Sequence, residues 1–308
     1  MSGKPGSIQR MIKIRLKLFV NIVFEFINRQ FFKLGFTIKR NTVIKIDKEE
    51  ILEGRSFLYR TGIEPIYTSF PLEKARINGK TLVDGDNCHI NIIALKKALS
   101  YDDQKIQYQK LEETLIEYAS TENKKNLNLN RSLGLSDEES RNLSNIPSWA
   151  KIYPWNHTES VQKQIATTNF STFVENSKRR GPRINAMQGG AQYPLVSKER
   201  AAFEAKLLFS LYNSIKSKGY IESKNTNYDP VGAIVAIDSD SNWCWAVSAG
   251  IHRCCVLSLS NIPSINVMLK KVIYKEDVES WPNVRNGLYT KEAALKVFDH
   301  MFDCKDSI

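Results

Sequence analysis

Gly250, His252 and Arg253 fall within four positions of one another and together carry the parts of an anion site. A guanidinium offers a fixed fork of donors suited to phosphate or carboxylate, and an imidazole adds another when protonated. Glycine permits a sharp strand-to-helix turn. A helix that begins there aims its free backbone N–H groups and the positive end of its dipole at an anion ahead of it. The plainer alternative is that Gly250 only turns the chain and that His252 and Arg253 are solvated first-turn residues, because a glycine followed by His-Arg is a short motif.

Three elements must position those groups. Residues 231–238 are apolar and β-branched, residues 239–242 are turn formers, and residues 243–248 are apolar again, which predicts a β-hairpin. Residues 252–259 place Cys255, Val256 and Leu259 at helical spacing, so a helix starts at Gly250-Ile-His-Arg253. Upstream, residues 199–218 predict a long amphipathic helix. It carries Lys206, Ser210 and Ser214 one helical turn apart on a shared face.

On these residues, positions 230–267 resemble the ParB/sulfiredoxin superfamily, whose members share a hairpin, a Gly-x-His-Arg turn, a helix and a returning strand. The matching segments are Ala233-Ile-Val-Ala-Ile237, Ser248-Ala-Gly-Ile-His-Arg253, residues 254–260 and Ile262-Pro-Ser-Ile-Asn-Val267. Ser210-Leu-Tyr-Asn-Ser214-Ile215 is similar to the sulfiredoxin helix that faces nucleotide phosphates, and Ser214-Ile-Lys-Ser-Lys-Gly219 to its ParB counterpart. The resemblance implies a phosphorylated small molecule, a nucleotide or nucleotide-sugar, bound by Gly250, His252 and Arg253 with Ser210 and Ser214 opposite. Lys206 lies one turn before Ser210 and adds a third contact. ATP or CTP is the implied nucleotide, with Mg as an accompanying ion.

Departures from the family shape the expected chemistry. Ile251 stands where sulfiredoxins carry their catalytic cysteine, which argues against thiol chemistry. Members that hydrolyse CTP or transfer phosphate have a carboxylate at or beside that position, and this chain has none. An enzyme of this kind would be a phosphotransferase or nucleotide hydrolase drawing its base from Asp238, Asp240 or Glu204. Cys254 and Cys255 read as core residues. Blocks at 146–155, 193–200 and 279–289 resemble an uncharacterised bacterial group with a ParB-like core, often found among genes for surface polysaccharides, and the resemblance implies that setting.

Composition bounds the rest. A chain of 308 residues with 42% hydrophobic and 25% charged content is ordinary for a globular protein with a sizeable core. Five cysteines, at 88, 244, 254, 255 and 304, give neither a disulfide framework nor a zinc pattern, which fits a reducing cytoplasm. The net charge of +11 is uneven: residues 1–40 hold nine Lys or Arg against Glu25 alone. The nearly neutral remainder disfavours specific DNA binding, which needs many clustered cations. A ParB-like DNA-associated role would also need a helix-turn-helix after the core, and only one good helix, 291–302 capped by Thr290, follows.

Residues 1–40 read as a basic amphipathic helix. Its longest charge-free stretch, 18–24, is far below the ~20 residues of a membrane span. Two readings stay open: a helix lying on an anionic membrane surface, peripheral at the inner face, or one docked on a partner protein or on the body. Residues 41–184 read as a mixed α+β region, with strand-like runs at 42–46 and 56–59 and helices at 90–99 and 106–119. A flexible joint follows at 120–131, then a capping box from Ser136 to Glu139. Trp149 and Trp155 read as packing anchors, and the stretch from 156 to a basic loop at 178–183 as polar. Residues 185–308 form the ParB/sulfiredoxin-like domain, in which Arg285 is either a ligand contact or a structural ion-pair partner. The expected fold is thus α+β with a helical and irregular N-terminal region. The functional alternative to a phosphate binder is a non-catalytic, membrane-associated scaffold.

Overall fold

The computed structural model describes residues 44–45, 66–82, 88–122, 133–136, 138–139, 141–143, 146–178, 186, 197–220, 230–260 and 262–302. The chain divides into two units, Met1–Thr42 and Val43–Ile308, and the described residues all belong to the second. The basic helix expected over 1–40, the strand at 56–59, the joint beyond Glu122 and the basic loop beyond Lys178 lie outside the described residues.

The apolar runs 232–237 and 243–249, separated by turn formers, produce the expected hairpin. Strands β5 (Gly232–Ile237) and β6 (Trp243–Ala249) pair antiparallel, with Val235 opposite Trp245. Asp238 closes the turn by accepting hydrogen bonds from the Asp240 and Asn242 amides at 2.9 and 2.8 Å. The returning strand β7 (Ser264–Tyr274) is longer than expected and runs parallel to β5. Four more strands complete the sheet: β1 (Ile44–Lys45), β2 (Ile66–Pro71), β3 (Ala75–Ile77) and β4 (Lys80–Thr81). The seven-stranded mixed sheet runs in the order β1-β2-β7-β5-β6-β3-β4.

Both faces of this sheet are covered, so its central strands are apolar on alternate and adjacent positions alike. Ala233, Val235 and Ile237 join Trp245 and Val267 in one core. Helices α1 (Ile90–Leu99), α2 (Gln104–Glu122), α4 (Lys198–Lys218) and α5 (Ile251–Ser258) supply Leu95, Leu111, Leu208 and Val256 to it. On the other face Ala236 and Cys244 meet Trp155, Trp281 and the Phe298 and Phe302 rings of α7 (Lys291–Phe302). Short helix α6 (Pro282–Arg285) leads into α7, whose N-terminus Thr290 caps by accepting from the Ala293 amide at 3.1 Å. Trp155 is an anchor as expected, edge-on to Trp281 and Phe298; Trp149 is only half-buried. The reciprocal Ser136–Glu139 capping contacts also form.

A boundary at 184/185 does not separate compact units, because β2, β3 and β4 share the sheet with β5, β6 and β7. Short strands paired across more than 150 positions leave no local signal of their partner. Within the polar stretch after Asn156, Val161–Lys178 is helix α3, an element that the sequence reading did not assign. Its inward positions Thr168 and Asn176 are polar, and Thr168 Oγ1 donates to the Ala150 carbonyl at 3.4 Å. Hydrogen bonds therefore seat α3 where an apolar stripe normally would, and periodicity in hydrophobicity misses it.

Candidate functional site

At the end of β6 the backbone of Gly250 takes φ 83° and ψ 26°, the left-handed conformation that only glycine adopts cheaply. Space makes the same demand. A Cβ there would lie 2.9 Å from both Arg253 Nη2 and Val231 Cγ2. The Arg253 guanidinium thus folds back over the turn. The first bond inside α5 runs from the Cys254 amide to the Gly250 carbonyl at 3.1 Å, and no side chain caps the helix. The amides before Cys254 are not spent within the helix, and the positive end of its dipole lies beneath Arg253.

The neighbouring strand bends at the same place. Its register shifts between Gly232 and Ala233 against β6, and between Ala233 and Ile234 against β7. Ser248 Oγ sits 2.5 Å from where a Cβ on Gly232 would be, so the two strands approach through a glycine as well. Bulges of this kind re-aim the chain beside sites.

His252 turns toward α4, where its Nε2 meets Glu204 Oε2, while Glu204 Oε1 takes the Arg200 guanidinium. Arg200 Nη1 donates in turn to Asn176 Oδ1 of α3 at 2.9 Å. The Glu204 side chain is fully buried and those of Arg200 and His252 are 7% and 13% exposed. Burial pushes the Glu204 carboxyl upward, but the charge and hydrogen bonds of His252 and Arg200 override it and hold it down at about 2. Glu204 is therefore ionised at neutral pH.

That contact corrects one expectation about chemistry. Both Glu204 oxygens are engaged and neither is exposed, so it cannot act as a base on a ligand. Asp238 is committed to the hairpin turn and Asp240 lies in that turn, at the far end of the seven-residue β6 from Gly250. At about 3.3 Å per residue this is roughly 20 Å away.

The structure gathers Gly250, His252 and Arg253, and sets Lys206, Ser210 and Ser214 apart. All three are exposed on α4, and none makes a hydrogen bond or ion pair with residues 250–253. Lys206 stands two residues from Glu204, which puts it about 160° around the helix, on the side away from His252. Ser210 and Ser214 lie about 9 and 15 Å farther along the axis than Glu204. Cys254 and Cys255 are fully buried as expected; burial pushes the Cys254 thiol up to about 12 and Cys255 well above its ordinary value. Neither is a nucleophile at neutral pH. Arg285 is exposed at the end of α6 and pairs with no carboxylate among the described residues.

Sequence reasoning missed Arg200 and Asn176. A signal for Arg200 existed: Arg200 and Glu204 fall on the stripe of α4 that holds Leu208 and Leu211, so two opposite charges four residues apart point into a core. Asn176 gave no such sign.

A shallow cavity of about 280 Å³ at the start of α3, lined by Thr158, Ser160 and Asn286 among others, contains none of these groups and adds nothing to the argument for α5. No group of three or more His, Cys, Asp or Glu among the described residues could hold a metal ion, and with Glu204 fully engaged the residues around Gly250 do not fit a protein-held magnesium. No helix among the described residues is long and apolar enough to cross a membrane. The chain matches no protein-family model, no curated protein and no solved structure.

Proposed function

We propose that the turn from β6 into α5 binds the phosphoryl group of a small molecule, a nucleotide such as ATP or CTP or a nucleotide-sugar. One observation carries this: an uncapped helix N-terminus, launched by a left-handed Gly250, with the Arg253 guanidinium folded over it. The first-turn amides and the guanidinium are then donors to the same anion. The ParB/sulfiredoxin resemblance of residues 230–267 supports the reading, since the turn, helix and strands it implies are the elements that form. Binding is favoured over turnover because the three carboxylates considered as bases are committed or distant. We place the protein in the cytoplasm and, on the same resemblance, in a surface-polysaccharide setting.

Arg253→Ala tests the reading. In thermal-shift and calorimetric titrations with ATP, CTP and UDP-sugars, the wild-type chain binds at least one ligand. The variant binds it about 10–100-fold more weakly, the worth of a charge-assisted hydrogen bond or two. A flat wild-type response, or equal affinities, overturns it. For residues 1–40, we propose that the basic apolar segment adheres to anionic membrane. The full chain then pellets with phosphatidylserine vesicles while a chain starting at Val43 stays in the supernatant, and equal pelleting leaves docking on a partner protein in its place.

A further inference from the structure

We infer that Glu204, clamped by Arg200, is a positioning residue that holds the Nε2–H of His252, so that Nδ1 is the ring nitrogen whose N–H, in the imidazolium form, is donated to a bound phosphoryl group; the ligand half of this statement rests on the phosphate-binding reading above. Glu204 is ionised and can only accept, so the hydrogen in its contact with His252 belongs to Nε2. The carboxylate cannot tilt away, because Arg200 holds its other oxygen and Asn176 holds Arg200. Phe203 flanks the guanidinium, its ring centroid 5.7 Å from Cζ. Three helices, α3, α4 and α5, thereby fix one imidazole.

Stability alone does not account for such an arrangement. A buried ion pair rarely outperforms well-packed apolar side chains of similar volume, because both ions give up their hydration. Here the loss is not fully recovered, since Arg200 Nε is buried with no hydrogen-bond partner among the described residues. What the cluster does supply is direction. A histidine whose Nε2–H is held by a carboxylate keeps one tautomer and one ring orientation, the relation that carboxylates impose on functional imidazoles generally. Charge balance points the same way. Arg200 cancels Glu204, so an incoming anion meets Arg253, the helix dipole and the imidazole without a net negative charge behind them. A doubly charged phosphoryl group gains most from that field.

The test is 15N NMR of histidine-labelled protein at neutral pH, with the His252 signal assigned by its loss in His252→Gln, combined with calorimetric titration of inorganic tripolyphosphate. Wild-type His252 shows a protonated Nε2. In Glu204→Gln the carboxamide both donates and accepts, so the ring is no longer held to the Nε2–H form, the imidazolium loses the carboxylate charge beside it, and tripolyphosphate affinity falls at least tenfold. Should Glu204→Gln fail to fold, the double variant Arg200→Gln/Glu204→Gln removes both buried charges and reads the same signal. An unchanged His252 spectrum in the folded variants overturns the positioning role, even if wild type binds tripolyphosphate and Arg253→Ala does not. Failure of the wild type to bind overturns the phosphate reading instead, and the spectrum still decides what Glu204 does.

Discussion

Arg200→Leu is expected to lower the unfolding free energy by about 3–5 kcal/mol, toward the lower end because His252 remains on Glu204. The cost arises from what is left behind. Glu204 has no exposed surface, and without the guanidinium its Oε1 is a buried charged acceptor with nothing to accept from. Asn176 Oδ1 loses its donor too. For a folded unit of this size the loss corresponds to a fall in melting temperature on the order of 10 °C, readable by calorimetry and urea denaturation. Arg200→Leu/Glu204→Leu, which removes both charges, recovers most of it. A second consequence concerns acid. Because the folded carboxyl is held below its ordinary 4.5, at about 2, Glu204 adds stability that is present above pH 4.5 and lost as pH falls toward 2. In Arg200→Leu that window moves upward. An unchanged melting temperature would mean that Glu204 reaches solvent.

How much of this was legible depends on range. The β5–β6 hairpin and helices α1, α2, α4, α5 and α7 announce themselves locally: two apolar, β-branched and aromatic runs flank the turn formers 239–242, and Ala294, Phe298 and Met301 recur along one side of α7. Nothing local marks β3, three residues long, as the partner of β6. Gly250 was legible because left-handed φ and close approach select one residue type. Arg253 was legible as a donor, though not its fold-back over the glycine. The link from His252 to Glu204 spans 48 positions and joins two helices whose relative placement only the sheet determines. Lys206, Ser210 and Ser214 lie on exposed positions of α4, and spacing along a helix does not say which face the rest of the fold covers.

Gly250→Ala should cost about 2–3 kcal/mol of stability and lower nucleotide affinity at least tenfold, through one geometric cause. A left-handed conformation costs an L-residue about 1–2 kcal/mol, and the new methyl adds a clash on top. Of its two neighbours, Val231 Cγ2 belongs to the chain entering β5, tied down by the bond from the Met268 amide to the Val231 carbonyl at 2.7 Å. The Arg253 guanidinium is the end of a flexible side chain. It is therefore Arg253 that yields, leaving the helix N-terminus where its charge completes the proposed site. This makes the affinity losses in Gly250→Ala and Arg253→Ala two routes to one defect, and the double variant should bind no more weakly than Arg253→Ala alone. Additive losses would show that Gly250 acts on the ligand through its own backbone, independently of Arg253. Undiminished nucleotide affinity in Gly250→Ala, in a protein whose melting temperature has fallen as expected, would remove the turn from the site altogether.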